Sequence, residues 1–189
     1  MANSRLGFFQ HLSAVAVVAC GIATLAMTAS AQMAGVENFH QVNEHVYRGA
    51  QPTTEGFQQL AKLGVKTIVD LRETDSRSTA EKKVVEANGM RYVNIPLRGM
   101  SAPSPADVTK VLALFDDPSA GPVFVHCRRG ADRTGTVVAC YRISHDGWDK
   151  SKALSEAKSN GMSWTEVSMR KYVKHYKAPQ ATPASAVTQ

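Results

Sequence analysis

The sequence of 189 residues lacks several features that would assign a protein to a class at once. It has three cysteines, and no cluster of histidine, cysteine and carboxylate residues has the spacing of metal ligands, so we predict no metal and no other cofactor. No internal repeat is visible, and no basic stripe interleaved with aromatic residues indicates a nucleic-acid partner. A composition of 43% hydrophobic and 20% charged residues suits one globular domain.

An apolar run occupies residues 12–27, after a segment with one arginine and before Ala29-Ser30-Ala31, which has the form of an A-x-A cleavage site. This pattern predicts a secretory signal peptide at residues 1–31 and an exported, periplasmic protein of a bacterial envelope. An uncleaved membrane anchor is the alternative, although the run is short for a membrane span. Lipidation at Cys20 is a third reading, which the continuation of the run past Cys20 disfavours. After cleavage we expect no stable membrane insertion.

Removal of residues 1–31 takes away one arginine and no acid, which leaves a formal net charge of about +5, suited to an anionic substrate. It also leaves two cysteines, Cys127 and Cys140. Cys140 falls about two turns into the helix predicted after Cys127, roughly 10 Å along the helix axis. That separation is too great for a disulfide, so we predict that Cys140 is a small buried core residue.

Residues 123–135 carry the clearest chemical pattern in the chain. They read as a short apolar strand, Cys127, a five-residue loop, Arg133 and a helix that starts near Thr134. The backbone N–H groups of such a loop can form a nest for a tetrahedral dianion, and the positive end of the helix adds to the same spot. The planar fork of Arg133 can hold two phosphoryl oxygens, and Cys127 can attack as a thiolate.

His126-Cys127, the five residues that follow and Arg133-Thr134 resemble the signature of the protein-tyrosine and dual-specificity phosphatase superfamily, HCxxxxxR followed by Ser or Thr. Further segments look like parts of small bacterial phosphatases of this group: residues 47–52, 64–72, 141–143 and 147–148. The resemblance covers roughly residues 40–176.

Strands alternate with helices along the chain. We predict strands over residues 65–71, 90–97 and 122–126, a polar loop over 75–80, and helices over 54–63, 80–87, 106–115, 136–144, 151–159 and 165–176. This order predicts a single-domain α/β fold with a central, mostly parallel sheet flanked by helices, and it matches the compact dual-specificity phosphatase fold. The catalytic domain would span residues 32–177, followed by a disordered tail over 178–189.

The resemblance implies a role for most residues of the loop. Cys127 would form a thiophosphate intermediate, and Arg133 would hold the equatorial oxygens in the transition state. Thr134 would donate to the sulfur, cap the helix, or both, and His126 would order the loop backbone. The predicted substrate-binding residues are Arg128, Arg129, Gly130, Ala131 and Thr134.

The general acid is the open question in this resemblance, because residues 95–103, where the family carries an Asp, contain no carboxylate. Asp132 inside the loop is the favoured replacement, since myotubularin-type lipid phosphatases and some secreted bacterial phosphatases carry an Asp there. Asp107 is second, although it reads as the first turn of a helix, where Asp is common. Asp70, at the end of a buried strand, is expected to order nearby loops instead.

These features favour hydrolysis of phosphomonoesters in proteins, directed at phosphotyrosine or at both phosphotyrosine and phosphoserine or phosphothreonine. The alternative is the same chemistry on a phosphoinositide, another phospholipid or a small phosphate, suggested by Arg128, Arg129 and Asp132. A phosphate-binding pseudoenzyme is supported by the absent upstream Asp alone. A rhodanese-type sulfurtransferase fits the Arg-Thr-Gly ending poorly, and an arsenate reductase would need a second cysteine closer than Cys140.

Overall fold

The computed structural model describes residues 32–179 of the chain. The predicted signal peptide and residues 180–189 of the predicted tail lie outside these residues. The elements, in chain order, are β1 (His40–Gln41), β2 (Val46–Ala50), α1 (Thr54–Leu63), β3 (Thr67–Asp70), α2 (Ser76–Ala87), β4 (Arg91–Asn94), α3 (Pro105–Asp116), β5 (Val123–Cys127), α4 (Asp132–Ser144), α5 (Lys150–Ser159) and α6 (Val167–His175), with a short 3-10 turn at Pro118–Ala120 before β5.

The strands form one sheet in the order β1-β2-β5-β3-β4. β1 and β2 form an antiparallel hairpin, and every other neighbouring pair is parallel. The predicted single-domain α/β fold with a mostly parallel sheet is therefore confirmed. β5 lies at the centre, between β2 and β3. Its last residue, Cys127, therefore lies in the middle of the side of the sheet formed by the carboxyl ends of the parallel strands.

The strand β5 is buried on both faces because helices cover both sides of the sheet. Val123 and Val125 point to a core beneath α3 and α4, whereas Phe124 points to a second core beneath α1 and α2. The alternation follows from the two-residue period of a strand. It explains why the sequence of β5 reads as a continuous apolar run.

The helix α1 has the ends that its sequence predicts. The side chain of Thr53 accepts a hydrogen bond from the backbone N–H of Gly56, and Gly64 closes the helix with φ +95°. The predicted loop over residues 75–80 is wrong, because α2 already begins at Ser76. Asp75 and Ser78 form a reciprocal capping box there, a signal hidden in a polar stretch.

The helix α4 begins at Asp132, earlier than the predicted start near Thr134. Its N-cap, Ala131, offers no side-chain hydrogen bond, so the usual sequence mark of a helix start is missing. The predicted strand over 90–97 shortens to β4 because its partner β3 ends at Asp70, although Ile95 and Leu97 still donate to the carbonyls of Asp70 and Leu71. Helices α5 and α6 pack against α4 through a small third core, which includes Ala139, Ala157 and Val173.

Within residues 32–179, none of the helices combines the length and the apolar character that a bilayer crossing requires.

The second core gives a direct test of this packing. Leu60 is fully buried beneath α1, whereas Leu63 on the same helix is 43% exposed. We expect Leu60→Ala to lower the free energy of unfolding by about 2–5 kcal/mol, because it leaves a cavity in a close-packed region. The matched control Leu63→Ala should change it by about 0.5 kcal/mol or less. Urea denaturation measures both, and equal losses would contradict the assignment of this core.

Candidate active site

The candidate site lies at the carboxyl ends of the parallel strands β2, β3 and β5, where ligands of open α/β sheets bind. Cys127 is the last residue of β5 and is 2% exposed. Residues 128–131 then form a tight loop, called here the phosphate loop, and α4 starts directly after it. The order of strand, cysteine, loop and helix agrees with the pattern of the sequence.

Every carbonyl oxygen from Cys127 to Gly130 accepts a hydrogen bond from a group outside the loop. The donors come from β2, from the residue after it, from the segment before β1 and from the end of β5. They are His126 Nδ1 to Cys127 O (3.3 Å), Gln51 N to Arg128 O (3.3 Å), Asn38 Nδ2 to Arg129 O (3.2 Å) and Arg48 Nη2 to Gly130 O (2.6 Å).

These bonds decide where the amide groups of the loop point. In a trans peptide the C=O and the following N–H point in opposite directions, so carbonyls held outward turn the N–H groups inward. The N–H groups of residues 128–131 find no acceptor within the described part of the chain. The N-terminus of α4, which has no side-chain cap, adds its positive end to the same place. Together these N–H groups form a set of hydrogen-bond donors suited to an oxyanion.

Gly130 is the residue that lets the loop close. Its φ of +65° lies in the left-handed region, and a Cβ built on it would collide with the backbone of Gly49 and Ala50 in β2. A glycine is therefore needed here for two reasons, the backbone angle and the close approach of β2. Any side chain at this position would push the loop away from β2.

Arg128 and Arg133 line a cleft of about 220 Å³ at the mouth of the loop. The other lining residues, all polar or charged, are Gln51, Arg72, Glu73, Asp75 and Arg77. Arg133 also donates a long hydrogen bond of 3.4 Å to the carbonyl of Leu97. Arg129 is not among the lining residues; it turns away and pairs with Asp132 at 2.6 Å. Four arginines thus meet two carboxylates in this cleft.

Asp132 is held by two partners in this conformation. One carboxylate oxygen accepts from Arg129, and the other accepts from the backbone N–H of Ser163 at 2.8 Å, in the connection between α5 and α6.

Thr134 is the third residue of α4, so it does not cap that helix. Its hydroxyl is fully buried and, among the described residues, has no hydrogen-bond partner. A donor left free next to the loop suits the predicted role toward the cysteine sulfur.

A buried ionic network lies behind Cys127. The guanidinium of Arg72 binds both oxygens of Asp70 (2.9 and 2.7 Å) and one oxygen of Glu81 (2.6 Å). The other oxygen of Glu81 lies 2.9 Å from His126 Nε2, off the line of a straight hydrogen bond. One face of Arg72 reaches the cleft, so the network joins the wall of the cleft to the residue before the nucleophile.

Asp70 is the anchor of this network. Burial acts to raise its pKa, but hydrogen bonds from Arg72 and Tyr92 and the nearby His126 bring the pKa below its ordinary value. The structure thus agrees with the expectation that Asp70 orders its surroundings. Asp70, Glu81 and His126 lie close enough to share a metal ion. They do not fit one, because the guanidinium of Arg72 already binds both carboxylates.

Three further carboxyl groups, those of Asp107, Asp75 and Glu166, differ in their ability to give up a proton. Hydrogen bonds from Ser104 and Lys110 hold the pKa of Asp107 below its usual range, and Asp107 lies in the first turn of α3, where the sequence predicts it. Asp75 caps α2, and the hydrogen bonds that its carboxylate accepts from Arg77 and Ser78 lower its pKa to about 2. In contrast, burial and the charge of Asp132 raise the pKa of Glu166, which has one buried oxygen without a partner among the described residues.

Sequence reasoning missed several of these residues. Arg77 and Asp75 fall in the stretch read as a loop, and Glu81 looked like an ordinary polar residue of a helix. Glu166 lies more than thirty positions after the motif, and only the fold brings the connection between α5 and α6 against Asp132 at the start of α4. Cys140 is a free thiol buried in α4, and burial raises its pKa, so the prediction of a core residue is confirmed.

Comparisons with known proteins give one consistent family. Residues 17–175 match the family described as DSP-PTPase phosphatase fused to NAD+ kinase. The chain is 34% identical over 125 residues to the dual specificity protein phosphatase TpbA of Pseudomonas aeruginosa, an alignment that covers 66% of this chain but only 55% of TpbA. It is 30% identical over 139 residues to the inositol diphosphatase DSP3 of Arabidopsis thaliana, covering 71% of this chain and 68% of DSP3. This chain therefore spans about half the length of TpbA.

Solved structures show the same fold. The crystal structure of P. aeruginosa TpbA superposes with a TM-score of 0.63 at 28% identity, over 76% of this chain and 91% of TpbA. A cysteine-to-serine variant of TpbA in complex with pTyr gives the same TM-score, over 74% and 85% of the two chains. The core catalytic domain of the PP-IP phosphatase SIW14 from S. cerevisiae reaches 0.66 at 24% identity, over 75% and 86%, a likeness of fold alone.

Gly130 offers a test of the loop geometry. We expect Gly130→Ala to weaken the binding of orthovanadate, a tetrahedral oxyanion, by about tenfold or more, because the new Cβ displaces the loop from β2. Gly147→Ala is the matched control, since Gly147 has nearly the same φ (+67°) with open space around it. The control should lose about 1–2 kcal/mol of stability and no affinity. Calorimetric titration measures the affinity, and an unchanged Gly130→Ala would refute the close approach.

Proposed function

Because this chain belongs to the DSP-PTPase phosphatase family, we propose that it hydrolyses phosphate monoesters through a thiophosphate intermediate on Cys127. The observation that carries this proposal is the orientation of the phosphate loop, which lies between the end of β5 and the uncapped start of α4. Its carbonyl groups are bonded outward, and its N–H groups have no acceptor among the described residues. A dianion held by these groups would present its phosphorus to the sulfur.

The proposed reaction has two steps. In the first, the Cys127 sulfur attacks phosphorus, the bond from phosphorus to the leaving oxygen breaks, and that oxygen takes a proton from an acid. In the second, water attacks phosphorus, the sulfur–phosphorus bond breaks, and the proton of the water returns to the same carboxylate. Arg133 holds two equatorial oxygens throughout, and Thr134 donates to the departing sulfur, because its buried hydroxyl is free to do so.

We propose Asp132 as the acid. It directly precedes Arg133, and the guanidinium that occupies one of its oxygens belongs to Arg129, whose side chain is 64% exposed and can move aside when substrate enters. The bond from Ser163 holds the other oxygen in place. Glu166 is the alternative donor, because its raised pKa favours the protonated form and Asp132 contributes to that shift.

For the substrate we propose a phosphotyrosine-containing protein, with phosphoserine or phosphothreonine as further substrates. The resemblance to TpbA, which binds pTyr as its cysteine-to-serine variant, supports this choice. A phosphoinositide or inositol phosphate is the second candidate. It is favoured by the cluster of Arg72, Arg77 and Arg128 around Arg133, which could hold more than one phosphate, and by the likeness to the inositol diphosphatase DSP3.

We also propose that the protein is exported to the periplasm. This proposal rests on the apolar run and the A-x-A site in residues 1–31.

The mechanism is tested by hydrolysis of p-nitrophenyl phosphate and of a phosphotyrosine peptide without added metal. Cys127→Ser should reduce both activities to background. Asp132→Asn should lower kcat on the peptide by about 10²–10⁴-fold and affect p-nitrophenyl phosphate much less, because p-nitrophenolate leaves without a proton. Asp107→Asn is the matched control and should leave both rates unchanged. A peptide-specific loss in Glu166→Gln instead would move the acid to Glu166.

Wild-type protein that binds phosphate but hydrolyses neither compound would be a binding module, and the proposed function would fail.

The substrate class is tested by comparing kcat/KM for a phosphotyrosine peptide with that for a soluble phosphoinositide. We expect the peptide to be the better substrate, and Arg77→Met to leave its kcat/KM almost unchanged, because Arg77 lies in the outer part of the cleft and is paired with Asp75. A phosphoinositide turned over about a hundredfold more efficiently, with a loss in Arg77→Met, would establish the second candidate.

A further inference from the structure

Arg48 lies behind the phosphate loop rather than in the cleft. It is a residue of β2, it is 1% exposed, and its Nη2 donates to the carbonyl oxygen of Gly130 at 2.6 Å. We propose that Arg48 is a positioning residue, which holds the Gly130–Ala131 peptide with its N–H toward the bound oxyanion. The proposal rests on the anion-binding role given to the loop under the proposed function.

The hydrogen bond from Arg48 is the strongest of the bonds that orient the loop. It is shorter than the bonds from His126, Gln51 and Asn38, which measure 3.2–3.3 Å, and it is the one among them with a guanidinium as donor. A hydrogen bond from a charged donor is roughly twice as strong as a neutral one. The peptide after Gly130 is thus the most firmly oriented of the loop.

The position of Arg48 is expensive for the fold. Its Nε and Nη1 are buried and have no acceptor among the described residues, and burial lowers its pKa to about 10. A buried charge without full pairing destabilises a protein, and an apolar side chain of similar volume would serve packing better. This imbalance indicates that the guanidinium is used for something other than stability, and the carbonyl of Gly130 is its one hydrogen-bond acceptor within residues 32–179.

The strand register explains why β2 supplies this residue. β2 runs parallel to β5, with Ala50 opposite Cys127 and Arg48 opposite Val125. The backbone of Gly49 and Ala50 forms the surface against which Gly130 rests, and Arg48 reaches past it to the carbonyl of the same glycine. β2 alone therefore sets both how closely the loop approaches the sheet and how the Gly130–Ala131 peptide is oriented.

The test measures oxyanion affinity and stability separately, in full-length protein. Tungstate binding is followed by calorimetric titration in the Cys127→Ser background, so that no turnover is needed. We expect Arg48→Met to weaken tungstate binding by about tenfold or more, because the N–H of Ala131 is then no longer held toward the anion and one hydrogen-bond donor is lost. Arg48→Lys keeps a charged donor and should recover part of that loss, which a purely structural role would not predict.

Arg142→Met is the matched control. Arg142 is also largely buried and ion-paired, with Glu156 and Asp146, but it has no bond to the phosphate loop. It should lower the melting temperature and leave tungstate affinity unchanged. Wild-type affinity in Arg48→Met, or an equal loss of affinity in Arg142→Met, would overturn the proposal.

Kinetics separate this inference from the proposed function. In protein with Cys127 intact, Arg48→Met should raise KM for p-nitrophenyl phosphate and lower kcat together, since both substrate and transition state use the same N–H groups. Absence of hydrolysis in wild type, with tungstate binding that still depends on Arg48, would end the proposed function and support the role of Arg48. Hydrolysis with the same kcat and KM in wild type and in Arg48→Met would support the proposed function and overturn the role of Arg48.

Discussion

The site depends on the direction of four consecutive peptide planes. A peptide group cannot turn its N–H without turning its C=O. When the N–H groups of the loop point inward, the C=O groups of the same peptides point outward, and each of them needs a hydrogen-bond donor from elsewhere in the chain. Here each of those carbonyls finds a partner, and the partners come from the segment before β1, from β2 and the residue after it, and from β5. The catalytic geometry is therefore a property of the scaffold around the loop, and the loop sequence alone would not specify it.

The ionic network around Arg72 is a second device of the same kind. Two carboxylates, Asp70 and Glu81, share one guanidinium in a buried space, and His126 lies against the second carboxylate. Such a group is stabilising only while every member is present, because loss of one leaves a buried charge unpaired. It ties α2 to the ends of β3 and β5, so the wall of the cleft and the nucleophile strand keep one relative position.

The sequence was sufficient for what is local or periodic. The central strand and the helix bounded by Thr53 and Gly64 each depend on a few neighbouring residues, and they were predicted with small errors. The helix start at Ser76 was missed because its capping box looks like an ordinary polar loop. Long-range partners escaped prediction altogether, since the bonds of Arg48 and Glu81 join residues that no spacing rule connects.

Asn38 shows what this dependence means for the order of assembly. Its backbone has φ +52°, and its side-chain amide donates both to the carbonyl of Arg129 and to that of Asn160. These bonds join residues that are 91 and 122 positions apart in the chain. Such contacts form late, because the chain loses the conformational entropy of closing a long loop before the new contact stabilises it. The anion site would thus be among the last parts of the molecule to become native. Oxyanion binding would then report on the completion of folding, because a partly folded chain whose sheet has already formed would not yet bind the oxyanion.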